Sequence, residues 1–96
     1  MALQFEWDSK KAKQNLLKHG ISFEEALTVF ADPLAKIFDD EEHSADERRE
    51  IVIGHSARNH LVLVCFTARW TKVRLISARK ATRLEQKDYE EKVRPN

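Results

Sequence analysis

Glu47–Ala81, ERREIVIGHSARNHLVLVCFTARWTKVRLISARKA, is the stretch that decides the fold. It divides into strand candidates at Glu47–Gly54, His60–Phe66 and Lys72–Ala78. The middle run, HLVLVCF, is apolar and rich in β-branched residues and contains neither Gly nor Pro, a pattern suited to a strand covered on both faces. Its neighbours are more mixed. Ile51 and Ile53 share one face of the first strand, and strict alternation puts Val73, Leu75 and Ser77 on one face of the third, with Lys72, Arg74 and Ile76 on the other. The connectors Gly54–Asn59 and Thr67–Thr71 are of hairpin length, so the three strands read as an antiparallel meander.

The rest of the chain supplies cover for this sheet. Phe5–Trp7 reads as a short opening strand or extended cover. Asp8 then caps a helix running through about Lys18, with Gly20 just past its end. Ala12 and Leu16 share a face of that helix, and Trp7 and Leu17 widen the apolar patch. Ser22-Phe23-Glu24-Glu25 is a capping box opening a second helix, whose Phe23, Ala26, Leu27 and Phe30 follow the helical period until Asp32-Pro33 stops it. Leu34–Phe38 reads as a strand or an extended loop, and the following DDEEHSAD as an exposed loop. Thr82 and Glu85 form another capping box, opening a helix through about Lys92 that contacts the sheet through Ala81 and Leu84, with Tyr89 at the edge of that face. The expected fold is α+β: an antiparallel sheet with the meander at its centre, two N-terminal helices on one face and a C-terminal helix completing it.

A chain of 96 residues, 42% hydrophobic and 34% charged, has the composition of one globular domain spanning residues 1–96. No apolar run is long enough to span a bilayer, and no membrane partner is expected. Cys65 has no intrachain cysteine to pair with and sits in the most apolar strand, which reads as a buried structural thiol in a cytoplasmic protein. The net charge of +1 conceals a division. Asp39, Asp40, Glu41, Glu42, Asp46, Glu47 and Glu50 crowd one segment, whereas Arg69, Lys72, Arg74, Arg79, Lys80 and Arg83 follow one another with no acid between them. The acidic segment with His43 matches neither a calcium-loop nor an HExxH spacing, so no metal site is expected.

The basic segment is the strongest functional lead. Arg74, Lys72, Arg79, Lys80 and Arg83, the last at the start of a helix, could hold successive phosphates. The same charges could instead meet an acidic protein partner or neutralise the chain's own acidic segment. Among the histidines, His19 leads as a proton-transfer group because KHG sets it beside Lys18 and a flexible turn; His55 and His60 flank the first hairpin. A glycine-rich phosphate loop, a CxxC pair, a Rossmann fingerprint and a nucleophile elbow are all missing, so no cofactor is expected.

FEWDSKKAKQNLLKHGISFEEALTVFADP, ERREIVIG, LVLVCF and VRLISARKATRLEQKDYEE together resemble the BrnT family of type II toxins, over Phe5 to Glu91. The family pattern is met by Trp7, Asp8, Asn15, Lys18, His19, Gly20, Phe23, Arg48, Arg74, Ser77, Arg79, Lys80, Glu85 and Tyr89. The resemblance implies a small RelE-like domain that cleaves RNA and arrests translation. It also implies a cognate BrnA-like ribbon-helix-helix antitoxin, through which the complex would meet operator DNA indirectly. On this reading RNA is cut without metal, by attack of its own 2′-hydroxyl on the adjacent phosphate. Arg74, Arg79 and Lys80 orient that phosphate and stabilise its charge, and His19 transfers the proton. Lys18, Arg48, Lys72 and Arg83 complete the substrate contacts. Two other functions fit the same sequence: a catalytically inactive antitoxin-binding module, and a protein that binds DNA directly through its basic strand and helix.

Overall fold

The computed structural model describes residues 3–43 and 47–93. Five strands form one sheet in the order β1-β5-β4-β3-β2, with β1 at Gln4–Glu6, β2 at Lys36–Asp39, β3 at Glu50–His55, β4 at Leu61–Arg69 and β5 at Lys72–Lys80. The expected meander, β3-β4-β5, is its centre. Both short segments whose pairing the sequence left open join it, Lys36–Asp39 antiparallel to β3 and Gln4–Glu6 beside β5. That last pairing is parallel, and among the described residues it alone departs from an antiparallel sheet. Part of the DDEEHSAD segment, Glu41–His43, forms a 3₁₀ turn, and residues 44–46 of it lie outside the described part.

The helices α1 (Ser9–His19) and α2 (Phe23–Val29) lie on one face of the sheet. The Asp8 carboxylate caps α1 by accepting from the backbone N–H of Lys10 and Lys11, and Gly20 ends it in the left-handed conformation at φ 72°. Ile21, Phe23, Ala26 and Val29 meet Val52, Val62, Val64, Phe66, Val73, Leu75 and Ala78 in the main core. Trp7 stands edge-on to Phe23 with ring centroids 5.8 Å apart. The sequence misjudged α1: Leu16 and Leu17 are 49% and 85% exposed, and the side chain the helix buries is Asn15.

On the other face α3 (Arg83–Val93) covers β2, β3 and β4. Its anchor is Tyr89, which is buried with Ile53 and Leu63 and donates its hydroxyl to the Leu34 carbonyl at 3.2 Å. Leu84, expected to contact the sheet, is 79% exposed instead. No helix among the described residues is long and apolar enough to cross a membrane.

The middle of β5 departs from strict alternation. Cys65 lies opposite Ser77, but the next residue of β4, Phe66, lies opposite Leu75, so Ile76 is an extra residue forming a β-bulge. Val73, Leu75 and Ala78 therefore all enter the core under α1 and α2. Ser77, expected to share the face of Val73 and Leu75, turns with Ile76 and Arg79 to the opposite face.

Candidate functional site

Because α3 covers only part of its face, the β4–β5 side of the sheet is left open. One hollow there, about 320 Å³, is lined by Asp40, Glu42 and Arg49 together with Cys65, Ile76, Ser77 and Arg79. A second, further along the same strands, is lined by Glu6, Glu47, Thr67, Arg69, Lys72 and Arg74. Register explains the grouping: Thr67 stands opposite Arg74 and Arg69 opposite Lys72, while the bulge returns Arg79 to the same face.

Arg79 is fixed by a two-point contact. Its Nη1 and Nη2 donate to Oε1 and Oε2 of Glu85 at 2.8 and 2.9 Å, and Nη1 also reaches the Lys80 carbonyl at 3.3 Å. The guanidinium keeps its Nε–H and one Nη2 hydrogen for a further acceptor. Glu85 completes the expected capping box of α3, accepting from Thr82 N–H at 2.8 Å while its own N–H donates to Thr82 Oγ1 at 3.2 Å. Arg79 and this cap hold its carboxyl against the cost of burial, lowering its pKa to about 2. The carboxylate thus serves helix and arginine together.

The other basic candidates divide by position. Lys72 and Arg74 share the second hollow, where Arg74 Nη1 donates to Glu6 Oε2 at 3.1 Å. Arg48 lines neither hollow; its guanidinium turns to Asp39 on the edge strand, with Nε and Nη2 at 3.2 and 2.9 Å from Oδ1. Arg83 is exposed on the first turn of α3, where the capping box already uses some of the donors expected to favour an anion. Lys80 stands opposite the fully buried Val62, which puts it on the α1–α2 side of the sheet. Lys18 and His19 end α1 on that side too, and among the described residues the His19 side chain makes no hydrogen bond or ion pair. Arg79 is therefore grouped with Arg74 and Lys72, whereas His19, Lys18 and Lys80 belong to the other face.

Arg49 and Arg69 join the open face without having been singled out from sequence. Arg69 was named from sequence only within the basic segment, because its place opposite Lys72 is set by strand register; Arg49 stands among acids in the other segment and drew no reading of its own. A second feature went unread because its members are far apart in the chain. Oε2 of Glu25, a carboxylate with 4% of its side chain exposed, lies 2.7 Å from His60 Nδ1 and accepts from Ser56 Oγ at 2.7 Å. Burial pushes the Glu25 carboxyl up, but the Ser56 and His60 hydrogen bonds outweigh it and keep its pKa below the ordinary value. Glu25 was expected to reach back and close the capping box of α2. Only half of that box forms, Glu25 N–H to Ser22 Oγ at 3.0 Å, because the carboxylate is used by the β3–β4 turn.

Burial, reinforced by the Asp40 carboxylate, pushes the Cys65 thiol up to about 11, as fits a structural rather than a nucleophilic cysteine. Among the described residues no group of three or more His, Cys, Asp or Glu could hold a metal ion.

A family model described as the ribonuclease toxin BrnT of type II toxin–antitoxin systems matches residues 7–85. Among solved structures, the chain is similar to the crystal structure of the Brucella abortus ribonuclease toxin BrnT. The two share 26% sequence identity with a TM-score of 0.67, over 85% of this chain and 100% of that one. No curated protein matches the chain.

Proposed function

The chain belongs to the BrnT family of ribonuclease toxins of type II toxin–antitoxin systems, and on that premise we propose that it cuts RNA on the open face of its sheet by internal attack. The observation that carries the proposal is the common face of Arg74 and Arg79. RNA contains its own nucleophile, so the protein need only align a 2′-hydroxyl with the neighbouring phosphate and stabilise the charge that develops there. The products are a 2′,3′-cyclic phosphate and a free 5′-hydroxyl. Arg79, held square by Glu85, offers its remaining donors to the phosphate. Arg74 and Lys72 take the strand further along the face, and Arg49 shares the hollow of Arg79. One such contact contributes roughly 2–4 kcal/mol to the transition state.

Lys80, Lys18 and His19 serve the same reaction only if RNA rounds the end of the sheet towards α1, because they lie across it from Arg79. Arg48 and Arg83 have the simpler role of outlying phosphate contacts. The partner that silences the toxin is, on this proposal, a BrnA-like ribbon-helix-helix antitoxin. It covers the open face and brings the complex to operator DNA through its own DNA-reading residues.

The test is cleavage of defined single-stranded RNA, with chelator present, by protein freed of antitoxin. End mapping should find the cyclic phosphate, and RNA carrying a 2′-methoxy group at the cut position should resist. Efficient cutting of the methoxy substrate would overturn internal attack. Antitoxin binding with no cleavage of free or ribosome-bound RNA would favour an inactive binding module, and promoter binding by the isolated chain a direct DNA-binding role. His19→Ala reports whether the α1 side takes part.

A further inference from the structure

We infer that Trp70 is a stacking platform for one base of single-stranded RNA, with Arg69 and Lys72 holding the phosphates beside it. The inference rests on the ribonuclease reading for the nature of the ligand and adds a binding site to it.

Trp70 is the first of two residues that turn β4 into β5, just beyond the closing pair Arg69–Lys72. Its φ is 57°, a left-handed backbone that turns normally assign to Gly or Asn and that is unfavourable for a bulky side chain. Packing does not compensate, since the indole is 98% exposed. Trp7, by contrast, packs against Phe23. Neither burial nor local conformation therefore accounts for a tryptophan at this tip. The tip is nonetheless held in place, because the Thr71 carbonyl accepts from Gln4 N–H at 2.8 Å and is tied to β1.

The charges beside it are also placed at a cost to stability. Arg69 and Lys72 stand directly opposite each other on one face, where like charges repel. Arg74, Arg79 and Arg48 each have a carboxylate partner. Among the described residues, the side chains of Arg69 and Lys72 make no hydrogen bond or ion pair. Both line the hollow that contains Arg74, as do Glu6, engaged by that arginine, and Glu47, whose Oε1 lies 3.9 Å from Arg49 Nε.

An exposed aromatic face beside uncompensated cations is the combination that binds single strands: every base has a π-face to stack, and every linkage a phosphate for the cations. A duplex keeps its base faces stacked inside and could use only the cations. Trp and Arg also anchor protein interfaces. The uncompensated cation pair favours the polyanion here and leaves antitoxin docking as the competing outcome.

The probe is a short single-stranded oligonucleotide with 2′-methoxy groups throughout, which internal attack cannot cut, so that binding is read apart from cleavage. Its binding should quench the emission of Trp70, and the change should vanish in Trp70→Phe. Trp70→Ala should weaken binding by roughly 5- to 150-fold, the range for one stacked base, and Trp70→Phe should restore much of the loss. Arg69→Ala with Lys72→Ala should flatten the salt dependence by about 0.7 for each phosphate that is no longer neutralised. Trp70→Gly should lose RNA affinity while melting no lower than wild type, which a structural tryptophan would not do. Oligonucleotide binding unchanged in Trp70→Ala would overturn the inference, and so would loss of antitoxin binding alone. If Trp70→Ala loses binding but the wild type cleaves no RNA, the platform stands and the ribonuclease reading fails. If the wild type cleaves and Trp70→Ala binds normally, the reverse holds.

Discussion

Arg74 and Arg79 project from the same face of the sheet although an odd number of positions separates them. In a regular strand that spacing puts two side chains on opposite faces. The extra residue Ile76 absorbs the mismatch, so that the core keeps Val73, Leu75 and Ala78 while the open face gains both arginines. Arg79→Ala should consequently slow cleavage by roughly 2–4 kcal/mol in activation free energy. Arg79→Lys should recover little, because a point charge cannot hold Glu85 at two oxygens and still face a phosphate. Single-turnover cleavage, with melting temperature as the control for folding, decides this. A lysine variant as fast as wild type would mean that Arg79 contributes charge alone.

Glu85 gives the fold an acid-sensitive joint. Its carboxyl titrates at about 2 in the folded chain against an ordinary 4.5. A group depressed in this way stabilises the fold above the unfolded pKa and loses that contribution as pH falls through the folded one. The advantage of wild type over Glu85→Gln should be complete near neutrality and should shrink as pH falls from about 4.5 towards 2. Because the pair is partly exposed, its size is about 1–2 kcal/mol. Denaturant midpoints at pH 6 and pH 3 measure it, and a difference that stays constant between them would refute the joint.

The Glu25 contacts make a third prediction. His60 and Ser56 share one buried carboxylate oxygen, so removing either leaves Glu25 short of a partner. His60→Ala and Ser56→Ala should each destabilise by about 1–3 kcal/mol. The double variant should cost measurably more or less than the sum, because both bonds end on one atom. Strict additivity in chemical denaturation would show that the two bonds act independently.

The sequence was informative where a pattern lay within one segment. HLVLVCF announced a central strand, Asp8 and Gly20 bounded α1, and Thr82 with Glu85 opened α3. Features set by a partner strand or a distant residue were not legible. The run VRLISARK is compatible with strict alternation, and its extra residue is visible only against β4. Glu25 read as a capping residue because its neighbours are Ser22 and Phe23, whereas its hydrogen bonds go to the β3–β4 turn. Leu16, Leu17 and Leu84 look like core by hydrophobicity, yet what their helices bury is Asn15 and Tyr89. The candidate site was half legible for the same reason: the basic residues were named, but the face each one occupies depends on register.

Asn15 carries the last prediction, since it acts as a strand where none is available. The parallel pairing of β1 with β5 ends at Glu6 and Arg74, so beyond that point no strand among the described residues pairs with the outer edge of β5. Asn15 reaches it from α1. Its Oδ1 accepts from Ala78 N–H at 3.0 Å, and its Nδ2 donates to the Ala78 carbonyl at 2.8 Å and to the Ile21 carbonyl at 2.9 Å. One amide thereby joins α1, the segment after it and β5 just past the bulge, at a site where Asn15 is only 7% exposed. Truncation would leave a buried N–H and two buried carbonyls without partners, at a cost of about 2–4 kcal/mol. Asn15→Ala should melt roughly 10–20 °C lower for a domain of this size. Asn15→Asp should be no better, because a carboxylate cannot donate to either carbonyl and would be an uncompensated buried charge. Hydrogen exchange at the Ala78 amide separates this account from a general loss of packing: protection there should fall by more than the global loss of stability. An Ala78 amide as protected in Asn15→Ala as the neighbouring β5 amides would show that the side chain does not serve as the missing strand.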